Sequence, residues 1–356
     1  MIEVDGSFRE GGGQILRTAL GLSCHLQKPF RIVNIRRGRR KSGLMPQHLA
    51  CVHAAKLISQ ALVTGDSIGS DELCFSPRAV RSGDYFFDIG TAGSTSLVLQ
   101  TIIPAVVFST TGVTTVTVRG GTHVPFSPSF HYLLHVFSPM VKNIGIDLTL
   151  SLLSYGFYPK GGGKINAAIC PSGNTRPLRI TERGETSRLA VISGAGNLPL
   201  SIAQIQKDAL FRKLGTFLAD TGCRVDEELL RVSTPGPGTF CFLVAESSHA
   251  LAGFTALGAR GKKAEIVGQE AAGEFLDYFA SGSALDPHLS DQIVPYLAMC
   301  DEESVFSTSC ITEHLLTNLW VIGLFHTYVY AVEGETGKPG IVRINPSKKQ
   351  PEEFVR

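Results

Sequence analysis

The sequence is poor in several features that would assign a class quickly. It has 356 residues with one Trp, four Met and only 18% charged residues, against a hydrophobic share of 43%. That balance excludes a largely disordered chain, and the length is enough for roughly two to three domain equivalents. No run of about 18 apolar residues occurs; the closest, Leu97 to Phe108, is interrupted by Gln100 and Pro104, so no membrane-spanning helix is expected. The opening MIEVDGSFRE lacks the basic and apolar regions of a secretion signal, so a soluble, cytoplasmic protein is expected. Cysteines stand at 24, 51, 74, 170, 223, 241, 300 and 310, with no CxxC and no zinc-finger spacing. They are expected to be reduced and mostly buried. Cys310 and His314 are spaced to share a metal, but no second Cys/His pair lies near them in sequence.

An excess of one charge sign is missing as well: 33 Lys+Arg oppose 31 Asp+Glu, for a net +2. This excludes a protein that coats long nucleic acid by bulk basicity, but the sum hides an asymmetry. Residues 1–48 carry nine basic and three acidic side chains, an excess of +6 that leaves −4 on the rest. A local basic surface on a near-neutral protein marks an anionic ligand, or a solvated positive loop.

What the chain does have is an order of elements that recurs. A strand at Val4, a helix through GQILRTALGLSC, a strand FRIVNIR and a helix PQHLACVHAAKLISQ lead to two short strands around Gly69. The order repeats with DYFFDIG, a helix kinked at Pro104, VTTVTVRGG, a helix SFHYLLHVFSPMVKNIG, and strands near 146–154 and 163–170. An offset of 83 residues pairs Asp5 with Asp88, Arg36 with Arg119, Gly38 with Gly121 and His48 with His131. These are two βαβαββ units. From about 184 a strand, a long helix, three strands and a helix form a distinct αβ module. The end then returns to the earlier style as a third, partial unit behind that module. The expected architecture is α/β: a large domain from 1–183 and 281–356, with a smaller domain at 184–280 inserted.

Four segments carry chemistry. EGGGQILR joins the first strand to the first helix, where three glycines let backbone N–H groups approach a phosphate and the helix end adds positive charge. Arg17 adds charge and Glu10 can face the phosphate through Mg²⁺; the residues alone equally fit a tight structural turn. RRGRRKSGLMPQH places five basic residues among six, suited to a polyphosphate or nucleic-acid backbone, but has no aromatic residue for base stacking. GTAGSTS reads first as a helix cap. In ITEHLLTN, Thr312 caps a helix whose first turn holds His314; the positive helix end disfavours imidazolium and leaves either a neutral nucleophile or an ordinary histidine. YPKGGGK is not a P-loop, because Ile165 follows the lysine, and it reads as a strand.

Together DGSFREGGGQILRTALGLS, PQHLACV, GDYFFDIGTAGSTSLVLQTIIPA, VRGGTHVPFSP, GFYPKGGGK, ITERG, LSDQIVPYLA and HLLTNLWV resemble the RNA 3′-terminal phosphate cyclase family, in family order and over most of the chain. The resemblance implies a fold of three βαβαββ units, similar to the enolpyruvyl transferase repeats, with a small inserted αβ domain. It implies a ligase-type nucleotidyl transfer. ATP adenylates a histidine with release of pyrophosphate, AMP passes to an RNA 3′-phosphate, and the 2′-OH closes a 2′,3′-cyclic phosphate. The HLxTN motif makes His314 the adenylated residue. Gln100 and the segment His288, Leu289, Ser290, Asp291 and Gln292 match the adenylate site, with Pro128 as its opposite wall. His288 stands where family members often have Tyr. Glu10 would face Mg²⁺ or Mn²⁺, while Arg17, Arg37, Arg40, Gln47 and His48 would hold ATP phosphates or the RNA end. A rival reading is the non-catalytic, cyclase-like branch that binds RNA in ribosome biogenesis; such relatives lose the histidine motif, which is intact here.

Overall fold

The computed structural model describes residues 1–346. The chain begins β1 (Ile2–Asp5), α1 (Gly13–Leu26), β2 (Phe30–Val33), α2 (Pro46–Ser59), β3 (Leu62–Thr64) and β4 (Leu73–Ser76). It repeats as β5 (Asp84–Asp88), α3 (Thr95–Ser109), β6 (Thr114–Gly120), α4 (Phe130–Tyr132), a π-helical turn (Leu133–Phe137), α5 (Ser138–Asn143), β7 (Leu148–Ser154) and β8 (Gly163–Ile169). Next come β9 (Arg179–Ile180), β10 (Thr186–Gly196), α6 (Leu200–Thr221), β11 (Arg224–Val232), β12 (Gly238–Ser247), β13 (Leu251–Leu257) and α7 (Ala264–Ser281). The last stretch is α8 (Pro287–Leu297), β14 (Ser304–Thr308), α9 (Glu313–Phe325), β15 (Tyr328–Glu333) and β16 (Gly340–Pro346).

Three of the four sheets share one order: β1-β2-β4-β3, β5-β6-β8-β7 and β9-β14-β16-β15. In each, the first two strands are parallel and the remaining pairs antiparallel. A parallel pair needs a crossover, which α1 and α3 supply in the first two sheets. The third departs from the sequence expectation. Its first strand, β9, lies ahead of the middle module, so the third unit is interrupted after that strand and is not a partial unit behind the module. Two residues are too short a run to show period-two patterning, which is why it escaped notice. Sheet faces alternate, as in β8, where Ile165, Ala167 and Ile169 point inward between half-exposed neighbours.

Helices α1, α3 and α9 sit inside. α3 is apolar nearly all round, with Val98, Leu99, Ile102 and Ile103 fully enclosed, and Pro104 lies within one continuous helix. It packs with α1 (Ile15, Leu16, Leu20) and α9 (Leu319, Ile322) in a single core. The middle sheet, β11-β10-β12-β13, is covered on both faces. Leu189, Val191 and Leu243 meet Leu210, Leu214 and Phe275 of α6 and α7, while Phe240 and Phe242 turn the other way into the main core. β12 accordingly reads as the unbroken apolar run expected of a strand buried on both faces. YPKGGGK is a strand only from Gly163; Tyr158–Gly162 lie in a turn whose Gly162 faces Pro235 and whose Lys160 faces Gly236, in the Pro-Gly turn of the middle module. All eight cysteines are unpaired, and four of them are buried. Among the described residues no helix is long and apolar enough to cross a membrane.

Candidate active site

Helix α9 begins as its sequence dictates. Thr312 accepts from the Leu315 N–H at 2.9 Å, and its own hydroxyl donates to Asp291 Oδ1 at 2.5 Å. That cap fixes the start of the helix and places His314 in the first turn. Burial, followed by the charges of Arg17, His288 and Arg39, lowers the His314 imidazole to about 4, so the ring is neutral near pH 7.

Beside it lies the turn between β1 and α1. Phe8 stacks on Trp320 with ring centroids 4.0 Å apart, and Arg9 pairs with Glu313 at 3.2 Å. Both contacts tie the turn to α9. Glu10 then comes within 3.5 Å of His314 Nδ1 and meets the Arg39 guanidinium through its other oxygen. Its Oε2 is buried without a hydrogen-bond partner. A buried carboxylate oxygen left open is costly unless a cation or donor completes it. Among the described residues no group of three or more His, Cys, Asp or Glu could hold a metal. The side chains present therefore form no all-protein cage, and the open oxygen of Glu10 is the one carboxylate atom here that a hard cation such as Mg²⁺ or Mn²⁺ would suit.

The start of α1 is equally constrained. A Cβ on Gly13 would collide with His48 Nε2 and the Arg17 guanidinium, so only glycine leaves this end of the helix open. His48 is buried, accepts from the Met45 N–H at 3.3 Å, and is lowered to about 3 by burial and then by Arg17 and Arg36. Arg17 donates to Gln14 at 2.7 Å and makes no salt bridge among the described residues. It leaves positive charge available to a ligand.

Arg17, Gln100, Asp291 and Gln292 converge on one narrow cleft of about 40 Å³, lined by α1, α3, α8 and α9. Gln100 donates to Gln292 at 2.5 Å across it. His288 sits in the first turn of α8, its ring edge-on to Tyr132 at 6.1 Å, and Pro128 lies in the loop just ahead of α4. Other expected residues are occupied differently. Leu289 is wholly inside the core, and the Ser290 hydroxyl is spent on Asp286 O and Thr308. Gln47 accepts from the Ser94 N–H at 3.1 Å, joining α2 to the start of α3. Arg37 donates to Asn34 at 3.1 Å in the exposed basic loop that also holds Arg40.

Sequence reasoning missed the polar group under the cleft. Asn318 receives hydrogen bonds from Thr18 at 2.6 Å and Gln14 at 3.0 Å and donates to Asp291 O at 2.7 Å. Arg39 on Glu10 was missed too. The signal existed: Gln14 closes EGGGQ, and Asn318 lies four residues after His314, on the same helix face.

Fold and site define a mixed α/β protein with a polar cleft bordered by Arg17 and a neutral histidine at a helix N-terminus. A family model described as RNA 3′-terminal phosphate cyclase matches residues 8–332, and the chain belongs to that family. Similar curated proteins bear the same name. That of Staphylothermus marinus is 41% identical, covering 97% of this chain and 98% of its own length. That of Methylococcus capsulatus is 42% identical over 97% and 96%, and that of Sulfolobus acidocaldarius 43% over 91% and 95%.

Proposed function

We propose that this protein converts an RNA 3′-terminal phosphate into a 2′,3′-cyclic phosphate at the expense of ATP. The observation that carries the reading is His314, neutral and capped into the first turn of α9 beside Glu10 and near the charge of Arg17. Glu10 faces Nδ1 at 3.5 Å, which leaves Nε2 as the nitrogen for phosphorus. In the first step Nε2 attacks the α-phosphorus of ATP, the α–β bridging bond breaks, and pyrophosphate leaves. Arg17, His48 and the N–H groups around Gly13 line the turn that would bear the phosphates. A divalent cation on Glu10 would supply charge neutralisation there.

In the second step a 3′-phosphate oxygen of the RNA attacks the adenylate phosphorus and releases the histidine. The vicinal 2′-OH then attacks the 3′-phosphorus, its proton is lost, and AMP leaves with the bridging oxygen. Activation converts a poor leaving group into AMP, and the neighbouring hydroxyl closes the ring intramolecularly. The chemistry selects RNA, since DNA has no 2′-OH. The polar side chains of Gln100, Asp291 and Gln292 along the cleft support assigning the nucleoside to its mouth.

Incubation with α-labelled ATP and Mg²⁺ or Mn²⁺, followed by a denaturing gel, tests this. Wild type should retain label, and His314→Ala should fall to background while keeping its circular-dichroism spectrum. A folded wild type that takes no label with either metal would overturn the reading in favour of the non-catalytic RNA-binding branch.

A further inference from the structure

The basic loop Arg36–Lys41 contains no aromatic residue, so a nucleic acid held there finds no surface on which to stack a base. One side chain elsewhere has the properties such a surface needs. Phe126 is fully exposed, at 102%, and its backbone is left-handed, with φ 61°. Exposing a whole phenyl ring forgoes its burial, and φ > 0 is unfavourable for a bulky residue. The loop is built to maintain both. Pro125 precedes it, Pro128 follows two residues later, and Ser127 Oγ donates to Val124 O at 3.1 Å between them.

The loop's anchors tie it to two helices that carry cleft residues. At its start, Gly121 O accepts from the Thr95 N–H at 2.9 Å, against the first residue of α3, the helix that carries Gln100. At its end, Ser129 caps α4, whose Tyr132 contacts the His288 ring. The loop therefore runs between the N-terminal ends of two helices that line the cleft, α3 and α8, with Phe126 projecting to solvent.

We propose that Phe126 is an RNA-binding residue that stacks on the base of the RNA's 3′-terminal nucleotide and so holds the terminal phosphate towards the adenylated histidine. This deepens the function proposed above and rests on it. Such a contact tolerates any base, because every base offers a π-face. It would supply the stacking that the basic loop lacks while leaving ATP untouched.

The test separates the two claims. Wild type, Phe126→Ala and Phe126→Trp are compared in three measurements: labelling by α-labelled ATP alone, KM for a 3′-phosphorylated oligoribonucleotide, and equilibrium binding of that oligonucleotide by fluorescence anisotropy. Phe126→Ala should label normally, with KM and Kd for the oligonucleotide raised roughly tenfold, the scale of one base–aromatic stack. Phe126→Trp should restore both. An oligonucleotide abasic at its 3′-terminal nucleotide should bind wild type tenfold more weakly and show no further loss with Phe126→Ala, since the pair acts as one interaction. Unchanged KM and Kd in Phe126→Ala would overturn the proposal, as would additive losses with the abasic end. Labelling lost in Phe126→Ala would also overturn it, placing the ring in the ATP wall with Pro128. Failure of the parent reading is visible separately, as absence of labelling in wild type.

Discussion

Asp291 shows how one buried carboxyl serves the site and leaves a mark on stability. It accepts from Thr312 at 2.5 Å, borders the cleft, and is lifted by burial from its ordinary 3.8 to about 8. Between those two values the folded protein holds a proton at this group that the unfolded chain has released. Its contribution to stability therefore falls as pH rises from about 4 to about 8. Asp291→Asn keeps the acceptor for Thr312 and removes the titration. The variant should gain on wild type in melting temperature as pH rises, with the smallest gap near pH 4.5 and the largest near pH 8.5. Thermal melts across that range decide it, and a gap independent of pH would show that Asp291 is ionised in the fold. His314, at about 4, is already neutral through this range, so its availability as a nucleophile should not change with it.

At the scale of the element, the start of α9 carries more than one duty. Thr312 satisfies a free helix N–H, donates to Asp291, and sets the register that puts His314 beside Glu10. Thr312→Val removes both hydrogen bonds at nearly constant volume. It should cost about 1–2 kcal/mol, typical of a lost cap, and lower the yield of labelled adenylate well beyond what that instability explains. Thr312→Ser keeps the oxygen and should restore both. Equal labelling by Thr312→Val and wild type would separate the cap from the chemistry. Much of this was legible in sequence, because caps and glycine turns act through neighbours in the chain: Thr312, Gly13 and His314 stand where their motifs put them. The 83-residue offset is likewise kept to within a residue at the first two helices of each unit, α1 against α3 and α2 against α4, but is lost at the last strands, where β4 and β8 start 90 residues apart. Contacts between distant segments were not legible. Nothing local announces that Asn318 gathers Gln14 and Thr18, that Arg39 reaches Glu10, or that the Ser290 hydroxyl turns to Thr308. β9 was hidden for the same reason, since pairing with β14 defines it and pattern does not.

Across the whole molecule, histidine burial outweighs carboxyl burial, and this fixes the acid response. Burial lowers His25 and His314 to about 4 and His48 and His131 to about 3; His123, His135 and His326 move the same way. Three of these seven, His123, His131 and His135, form a file against Phe240 and Phe242 where the middle sheet meets the α4 region, with His123 Nε2 2.8 Å from His131 Nδ1. Below the ordinary histidine value of 6.5, the unfolded chain binds protons at these rings that the folded protein does not. Stability must therefore fall as pH drops from 6.5 towards 4. Glu274, Asp286 and Asp291 are raised by burial and oppose the trend, but they are three groups against seven. The melting temperature of wild type should decline steadily from pH 6.5 to 4.5. Calorimetric unfolding in buffers of different ionisation enthalpy should register net proton uptake over the same interval. A melting temperature that is flat or rising on acidification would mean that the buried histidines do not outweigh the buried carboxyls Glu274, Asp286 and Asp291.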